Sequence, residues 1–396
     1  MKITYTGPVR SSNYAYAQAL YNVKALYAFV SGFSRLSPRA KLINVGDKLK
    51  RHDFFQTLFV GTLMMKFPMP IQRVLHSLAS ARLDAASYKY ARESDAFVYY
   101  RTQGFNTTKR LHREGSRTLC VMEEVNSHAE YAKEILLPEF ERLGLDRSYD
   151  DEIDFDQRLL AYKEADYILC PSDFVVNSFI EKGFPADKLL KVNFGFPPIE
   201  VETTATDKYK AGAPFRVLYV GQISYRKGLR YAIDAFNRLD HPNKEFIIVG
   251  PHTVVTGLEK TTIPAEVKFT GVLKGEDLKN QYRQASCFIL PSLEEGLALV
   301  QGEALSFGLP LLITTNTGGA DLITDGVEGF IVAPCDTDAI YDRLKQMAAD
   351  PALLARMSVA ATATARRLGS WDKAAGKLVD QLAKLLEARK QPVAAK

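Results

Sequence analysis

Short apolar runs alternate along the chain with longer stretches of helical period. KITYT (2–6), KLINV (41–45), DAFVYY (95–100), TLCVMEEV (118–125) and the run Tyr167–Cys170 read as strands of a first series. RVLYVG (216–221), EFIIVG (245–250), VKFTG (267–271), CFIL from Cys287 and LLITT from Leu311 read as a second. Helical patterns fill the gaps: one long pattern from Ser12 through VKALYAFV, another from Ile71 to Glu93, and short ones near Thr107–His112 and over Asp173–Lys182. Ser172 is placed to cap the last of these and Gly183 to stop it. Strand and helix in alternation predict an α/β protein with parallel sheets, and strands apolar throughout predict sheets covered on both faces. The tail from Asp350 to about Lys390 reads as helix with one break at Leu368-Gly369-Ser370.

A chain of 396 residues exceeds what one hydrophobic core usually supports, so two domains are expected. The polar stretch around 198–213 is the natural linker. It sets a first domain at 1–200, a second at 201–370 and a terminal helix and tail at 371–396 that crosses back to the first. Cys120, Cys170, Cys287 and Cys335 are far apart and fit no metal-ligand spacing, which suits buried thiols in a reducing compartment. The polar turn straight after MKITYTGP and the lack of any long apolar run lead to the expectation of a cytoplasmic protein.

Charge changes the picture of the first half. Residues 1–110 carry 17 Lys+Arg against 5 Asp+Glu, while the remainder is net acidic. Such a field attracts phosphates, nucleic acid or an anionic membrane, or is a solvated face without a partner. Within it, RHDFFQTLFVGTLMMKFPMPIQR holds an apolar series flanked by Lys48, Lys50, Arg51, Lys66 and Arg73. That stretch, 48–73, is either a peripheral element for the inner membrane face or a helix buried in the core.

Candidate chemistry gathers where strands end. Cys287 to Asp321 reads as strand, loop, helix, strand, and ligands of parallel sheets sit outside the carboxyl ends of the strands. Glu295 and Glu303 flank that position. Glu294 beside them is expected to face solvent. Arg226 and Lys227 open a helix, where cations oppose the helix dipole, so at least one is expected to meet an anion. Gly7 ends the first strand in a Rossmann-like turn. His128 follows a strand and precedes a helix, with Glu124 and Asn126 in its loop.

PSLEEGLALVQGEALSFGLPLL resembles the Glu-x7-Glu signature of retaining glycosyltransferases of family 4, GQISYRKG resembles that family's phosphate loop, and NTGGADLITDGVEGFIVAP its glycine-pair segment. The resemblance implies the GT-B fold, two Rossmann-like domains facing across a cleft, with a nucleoside-diphosphate sugar (UDP or GDP) held by the second domain and no metal required. It implies that Glu303 binds the ribose, Glu295 the transferred sugar, and Lys227 with Arg226 the diphosphate, together with backbone groups of Gly296, Leu297, Ala298, Leu299 and Val300. It places His128 near the anomeric centre. Gln222 stands where the family usually has arginine, and Gly296-Leu297-Ala298 where it often has Gly-Phe-Gly. The implied acceptor is a glycan or lipid-linked molecule of bacterial cell-surface polysaccharide or lipopolysaccharide assembly, with a soluble small-molecule acceptor as the alternative. A glycan phosphorylase would need a pyridoxal-phosphate lysine, for which no segment matches. A non-catalytic nucleic-acid binder would need aromatic and basic motifs that are missing, so no nucleic acid is expected.

Overall fold

A computed structural model describes residues 1–8, 12–37, 43–65, 67–144, 155–198, 200, 209–210, 212–253, 256–259 and 261–390. The strands in these residues form two sheets, each parallel throughout. The first comprises β1 (Ile3–Gly7), β2 (Leu26–Ser31), β3 (Leu49–Arg51), β4 (Ala96–Tyr100), β5 (Leu119–Glu123), β6 (Tyr167–Cys170) and β7 (Leu189–Lys191), in the order β3-β2-β1-β4-β5-β6-β7. The second comprises β8 (Phe215–Val220), β9 (Lys244–Val249), β10 (Val267–Gly271), β11 (Cys287–Leu290), β12 (Leu311–Thr314) and β13 (Gly329–Val332), in the order β10-β9-β8-β11-β12-β13. Each order reverses once, between β1 and β4 and between β8 and β11. Those are the points where an open parallel sheet leaves a crevice for ligands.

Every residue of β1, β5, β11 and β12 is buried, as expected of strands covered on both faces. β10 departs from that pattern, because it is a sheet edge and turns Lys268 and Thr270 to solvent.

Two sequence assignments in the first domain need correction. The pattern read as helix from Ser12 through VKALYAFV is a helix only over Ser12–Asn22, and LYAFVS is β2. Lys24 makes the reversal at φ 60°, a left-handed turn usually given to glycine, so no helix-stop residue marks it. KLINV is not the second strand: Ile43–Val45 are irregular, Lys41 and Leu42 lie outside the described residues, and β3 follows at Leu49 beside Phe29 of β2. The 198–213 linker falls largely outside the described residues, between the end of β7 and the start of β8.

The terminal helix, Trp371–Lys390, packs on the first domain. Trp371 meets Tyr16 at 5.7 Å and Phe194 at 5.6 Å between ring centroids, Gln381 donates to the Lys191 carbonyl, and Arg389 pairs with Asp166 at 2.8 Å. Asp166 also groups with His112 and Cys120 as the one His/Cys/Asp/Glu cluster of ligand geometry among the described residues. Arg389 already occupies the carboxylate and burial pushes the Cys120 thiol up to about 12, so this cluster fastens the terminal helix.

The apolar stretch of the first domain forms two helices, Phe54–Met64 and Met69–Ala91, that pack on each other through contacts such as Phe59 on His76 at 5.1 Å. It is not a core element. Phe54 is 68% exposed, Met64 80% and Met65 71%, and Leu63, Met69, Ile71 and Val74 also face solvent. No helix among the described residues is long and apolar enough to cross a membrane.

Candidate active site

The loops that leave β8 and β11 lie side by side because those strands are neighbours in the sheet. The first loop ends in a turn at Tyr225–Lys227 and the second runs from Pro291 to Ala298, where the helix Leu299–Ser306 begins. Lys227 contacts the Glu295 carboxylate, and Arg226 lies 3.6 Å from the same oxygen. Burial, with Arg226 beside it, pulls the Lys227 ammonium well below its ordinary value, and Glu294 opposes that shift. The contacting Glu295 carboxylate offsets part of the burial cost.

A cavity of about 290 Å³ opens at this pair. The second domain lines it with Val220, Gly221, Lys227, Leu290, Glu295 and Leu297–Val300, the first with Ser12, Val125, Asn126 and Phe194. The site is therefore shared between domains, with the first turn of the helix Leu299–Ser306 at its wall. That end of a helix, with unpaired backbone N–H groups and a positive dipole, favours an anion, and the Lys227 amine stands beside it as a further donor.

Glu303 lies in the second turn of that helix and not in the cavity wall. The Tyr282 hydroxyl donates to its Oε2 at 3.0 Å, while Oε1 has no hydrogen bond among the described residues; burial raises the carboxyl above its usual range. Gln222 is exposed, and its carbonyl accepts from the Tyr219 hydroxyl at 2.7 Å. Gly7 ends β1 with a Cβ position only 2.8 Å from Asn13 Cβ, so it admits the helix that follows. Gly296 has a sharper reason: a Cβ there would lie 1.8 Å from the Val125 carbonyl oxygen, so the two domains touch backbone to backbone at the glycine that follows Glu295.

One expectation fails on geometry, and a second residue stands outside the cavity wall. Glu294, expected in solvent, is 1% exposed and joins the domains. It accepts from Ser127 N at 2.9 Å, Ser127 Oγ at 2.8 Å and Asn126 Nδ2 at 3.1 Å, while Arg226 of its own domain pairs with it at 2.9 Å. Burial raises its carboxyl, but Arg226 and the Ser127 donors outweigh that and hold it below the usual range. His128 is placed away from the cavity. It caps the helix Ala129–Leu143, with Nδ1 accepting from Glu130 N at 3.3 Å, and its ring lies between Tyr162 at 4.8 Å and Phe179 at 4.9 Å. Burial lowers its basicity. A strand-to-helix position fits a helix cap as well as a catalytic role, and the local sequence is the same for both.

Further bonds hold the domains together beside the cavity. Ser172 Oγ donates to the Gly296 carbonyl at 2.6 Å, and Asp321 accepts from Asp173 N, Asn193 and Lys191. Asn126, Ser127 and Ser172 carry no spacing signal of their own; only the strand ends on which they sit could have pointed to them.

Two parallel sheets meeting across such a cavity, with the terminal helix returning to the first, define the GT-B architecture. The model of the family described as glycosyl transferases group 1 matches residues 202–364. The sulfoquinovosyl transferase of Arabidopsis thaliana is 30% identical over 200 residues, 48% of this chain and 39% of that protein. The amylovoran biosynthesis glycosyltransferase AmsK of Erwinia amylovora is 29% identical over 196 residues, 45% and 48% of the two chains. The chain thus spans less than half the length of these curated relatives. Among solved structures, Anabaena HepE in complex with UDP and glucose superposes with a TM-score of 0.66 at 17% identity, covering 97% of this chain and 100% of that one. Sucrose-phosphate synthase of Thermosynechococcus elongatus gives 0.71 at 15%, over 98% and 100%.

Proposed function

We propose that the protein is a retaining glycosyltransferase of family 4. In this reading it moves a sugar from a nucleoside diphosphate to a glycan or lipid-linked acceptor in bacterial cell-surface polysaccharide or lipopolysaccharide assembly. The observation that carries this reading is the Lys227–Glu295 contact at the start of the helix Leu299–Ser306, inside a cavity walled by both domains. The leaving diphosphate gathers negative charge as the glycosidic bond breaks. In this reading Lys227 and the helix N-terminus at the cavity meet that charge, with Arg226 behind them against Glu294, and the reaction needs no metal or other cofactor. Glu295 orients the transferred sugar, and Glu303 takes the ribose through the oxygen that Tyr282 leaves open. The acceptor hydroxyl attacks from the face the diphosphate leaves, and a phosphate oxygen accepts its proton. The contacts of Glu294 and Ser172 across the domains exclude water, which limits hydrolysis of the donor.

The names of relatives add support for pathway: AmsK acts in amylovoran biosynthesis, and WcaL of Salmonella typhimurium, 24% identical over 198 residues, is a putative colanic acid enzyme. The lipid-linked acceptor is favoured over a soluble one by the exposed apolar face of the helices Phe54–Met64 and Met69–Ala91. With Lys48, Lys50, Arg51 and Arg73 around it, this face suits peripheral contact with an anionic membrane surface. The test is release of nucleoside diphosphate from UDP-, GDP- and ADP-sugars, followed by the anomeric configuration of the product. Turnover of one donor with retention is expected. Absence of donor binding together with salt-sensitive RNA binding would instead establish a nucleic-acid binder.

A further inference from the structure

A second cavity, of about 330 Å³, adjoins the first through their common wall residue Asn126. Four cations line it, Arg101, Lys133, Arg158 and Arg226. Two carboxylates answer them. Glu294 pairs with Arg226, and the fully buried Glu124 pairs with Arg101 at 3.2 Å and Arg158 at 3.1 Å. Among the described residues, two positive charges are left over in a partly enclosed space. Aromatic faces hold two of the cations in place, with Lys133 over Phe155 at 5.0 Å and Arg101 over Tyr100 at 5.4 Å. Arg158 is fixed in this wall by its Nη2, which donates to Glu124 at 3.1 Å and to the Tyr162 hydroxyl at 3.2 Å. Surplus positive charge in such a space is matched by a multiply charged oxyanion, which takes guanidinium in pairs of hydrogen bonds.

We propose that this cavity binds a phosphate group carried by the acceptor, whose attacking hydroxyl then reaches the donor cavity past Asn126. The proposal rests on the glycosyltransferase reading for the word acceptor, but the phosphate site stands on Arg101, Lys133 and Arg158 alone. A phosphate of this kind belongs either to a soluble sugar phosphate or to a lipid head group. Both present the same group to the cavity.

The experiment measures thermal stabilisation by three probes, glucose 6-phosphate, glucose and dihexanoyl phosphatidic acid below its micellar concentration, each with and without saturating UDP. Wild type, Arg158→Gln and Lys133→Gln are compared. Lys133 is exposed, so Lys133→Gln keeps the fold where loss of Arg158 disturbs buried Glu124. At least one phosphate probe is expected to stabilise wild type while glucose does not, with its Kd weakened about tenfold or more in Lys133→Gln. The probe that binds names the source of the phosphate. Equal effects of glucose and the phosphate probes, or unchanged phosphate binding in both variants, would overturn the proposal. The UDP response of the same samples reads the donor site separately: a UDP shift without a phosphate response refutes only this inference, whereas a phosphate response without any nucleotide shift refutes only the transferase reading.

Discussion

The six strands of the second sheet repeat the order of the first six of the first, which adds a seventh at its edge, yet the two domains dispose of their charges and apolar side chains in opposite ways. In the second domain the cations at the cleft are paired on the spot, Lys227 with Glu295 and Arg226 with Glu294, on loops pinned by backbone contacts such as that at Gly296. In the first domain a helical pair leaves Phe54, Met64 and Met65 in solvent, and its Arg101, Lys133 and Arg158 face a cavity below Asn126 with only Glu124 of that domain paired to them among the described residues. A pre-paired, backbone-held site suits one invariant ligand group, a nucleoside diphosphate. An open apolar face and an unbalanced cationic cavity suit a partner that completes them.

The largest effect expected concerns the residue that bridges the two regions. Glu294→Ala leaves the part-buried Arg226 without its carboxylate and removes the hold on Ser127 and Asn126, so unfolding free energy should fall by about 3 kcal/mol in denaturant titration. The native Glu294 carboxyl lies below its ordinary range, so its contribution is present above the unfolded value and is lost as pH falls through the folded one. Unchanged stability would make the domains independent and break the comparison.

Next, Lys227→Gln should lower kcat for donor turnover by about 10²–10³-fold, the scale for a group that stabilises developing charge. A rise in KM alone would assign Lys227 to ground-state binding.

Third, Glu123 of the first domain accepts from Tyr5 at 2.6 Å and Asn13 at 3.0 Å, and burial pushes its carboxyl up to about 7. The folded chain holds this proton more tightly than the unfolded one, so the contribution is present below the unfolded value near 4.5 and is lost as pH rises through about 7. Glu123→Gln should flatten that decline by about 3 kcal/mol in melts from pH 5 to 8.

Smallest in folding terms, Phe54→Ser with Met64→Ser should change stability by no more than about 0.5 kcal/mol because both side chains are exposed. Sedimentation with anionic vesicles should nevertheless weaken about tenfold or more; equal binding would leave the face without its membrane partner.

The same contrast explains what could be read from sequence. The second domain was legible because its loops announce themselves through apolar strands that end in Pro291-Ser292, a glutamate at each end of the signature, and Arg226-Lys227 opening a helix. The first domain hid more. β2 was masked by Lys24 making a turn without glycine, and the Phe54–Met64 segment has an apolar pattern that serves a core or a surface equally. Glu294 reads as solvent-facing because adjacent glutamates are indistinguishable until a partner domain arrives. At His128 capping and catalysis place a histidine at the same point, so the sequence does not separate them. The Arg101, Arg158 and Glu124 group is assembled from three separate elements, with no spacing to betray it.

In the proposed reading the second domain holds a nucleoside-diphosphate donor through Glu303 and the Lys227–Glu295 pair. Calorimetric titration of the best-binding nucleotide into wild type and Glu303→Ala tests it most directly. A loss of affinity of about tenfold or more, on the scale of a charged hydrogen bond, is the result expected. Full affinity in Glu303→Ala would contradict the ribose assignment and move the donor elsewhere in the cleft.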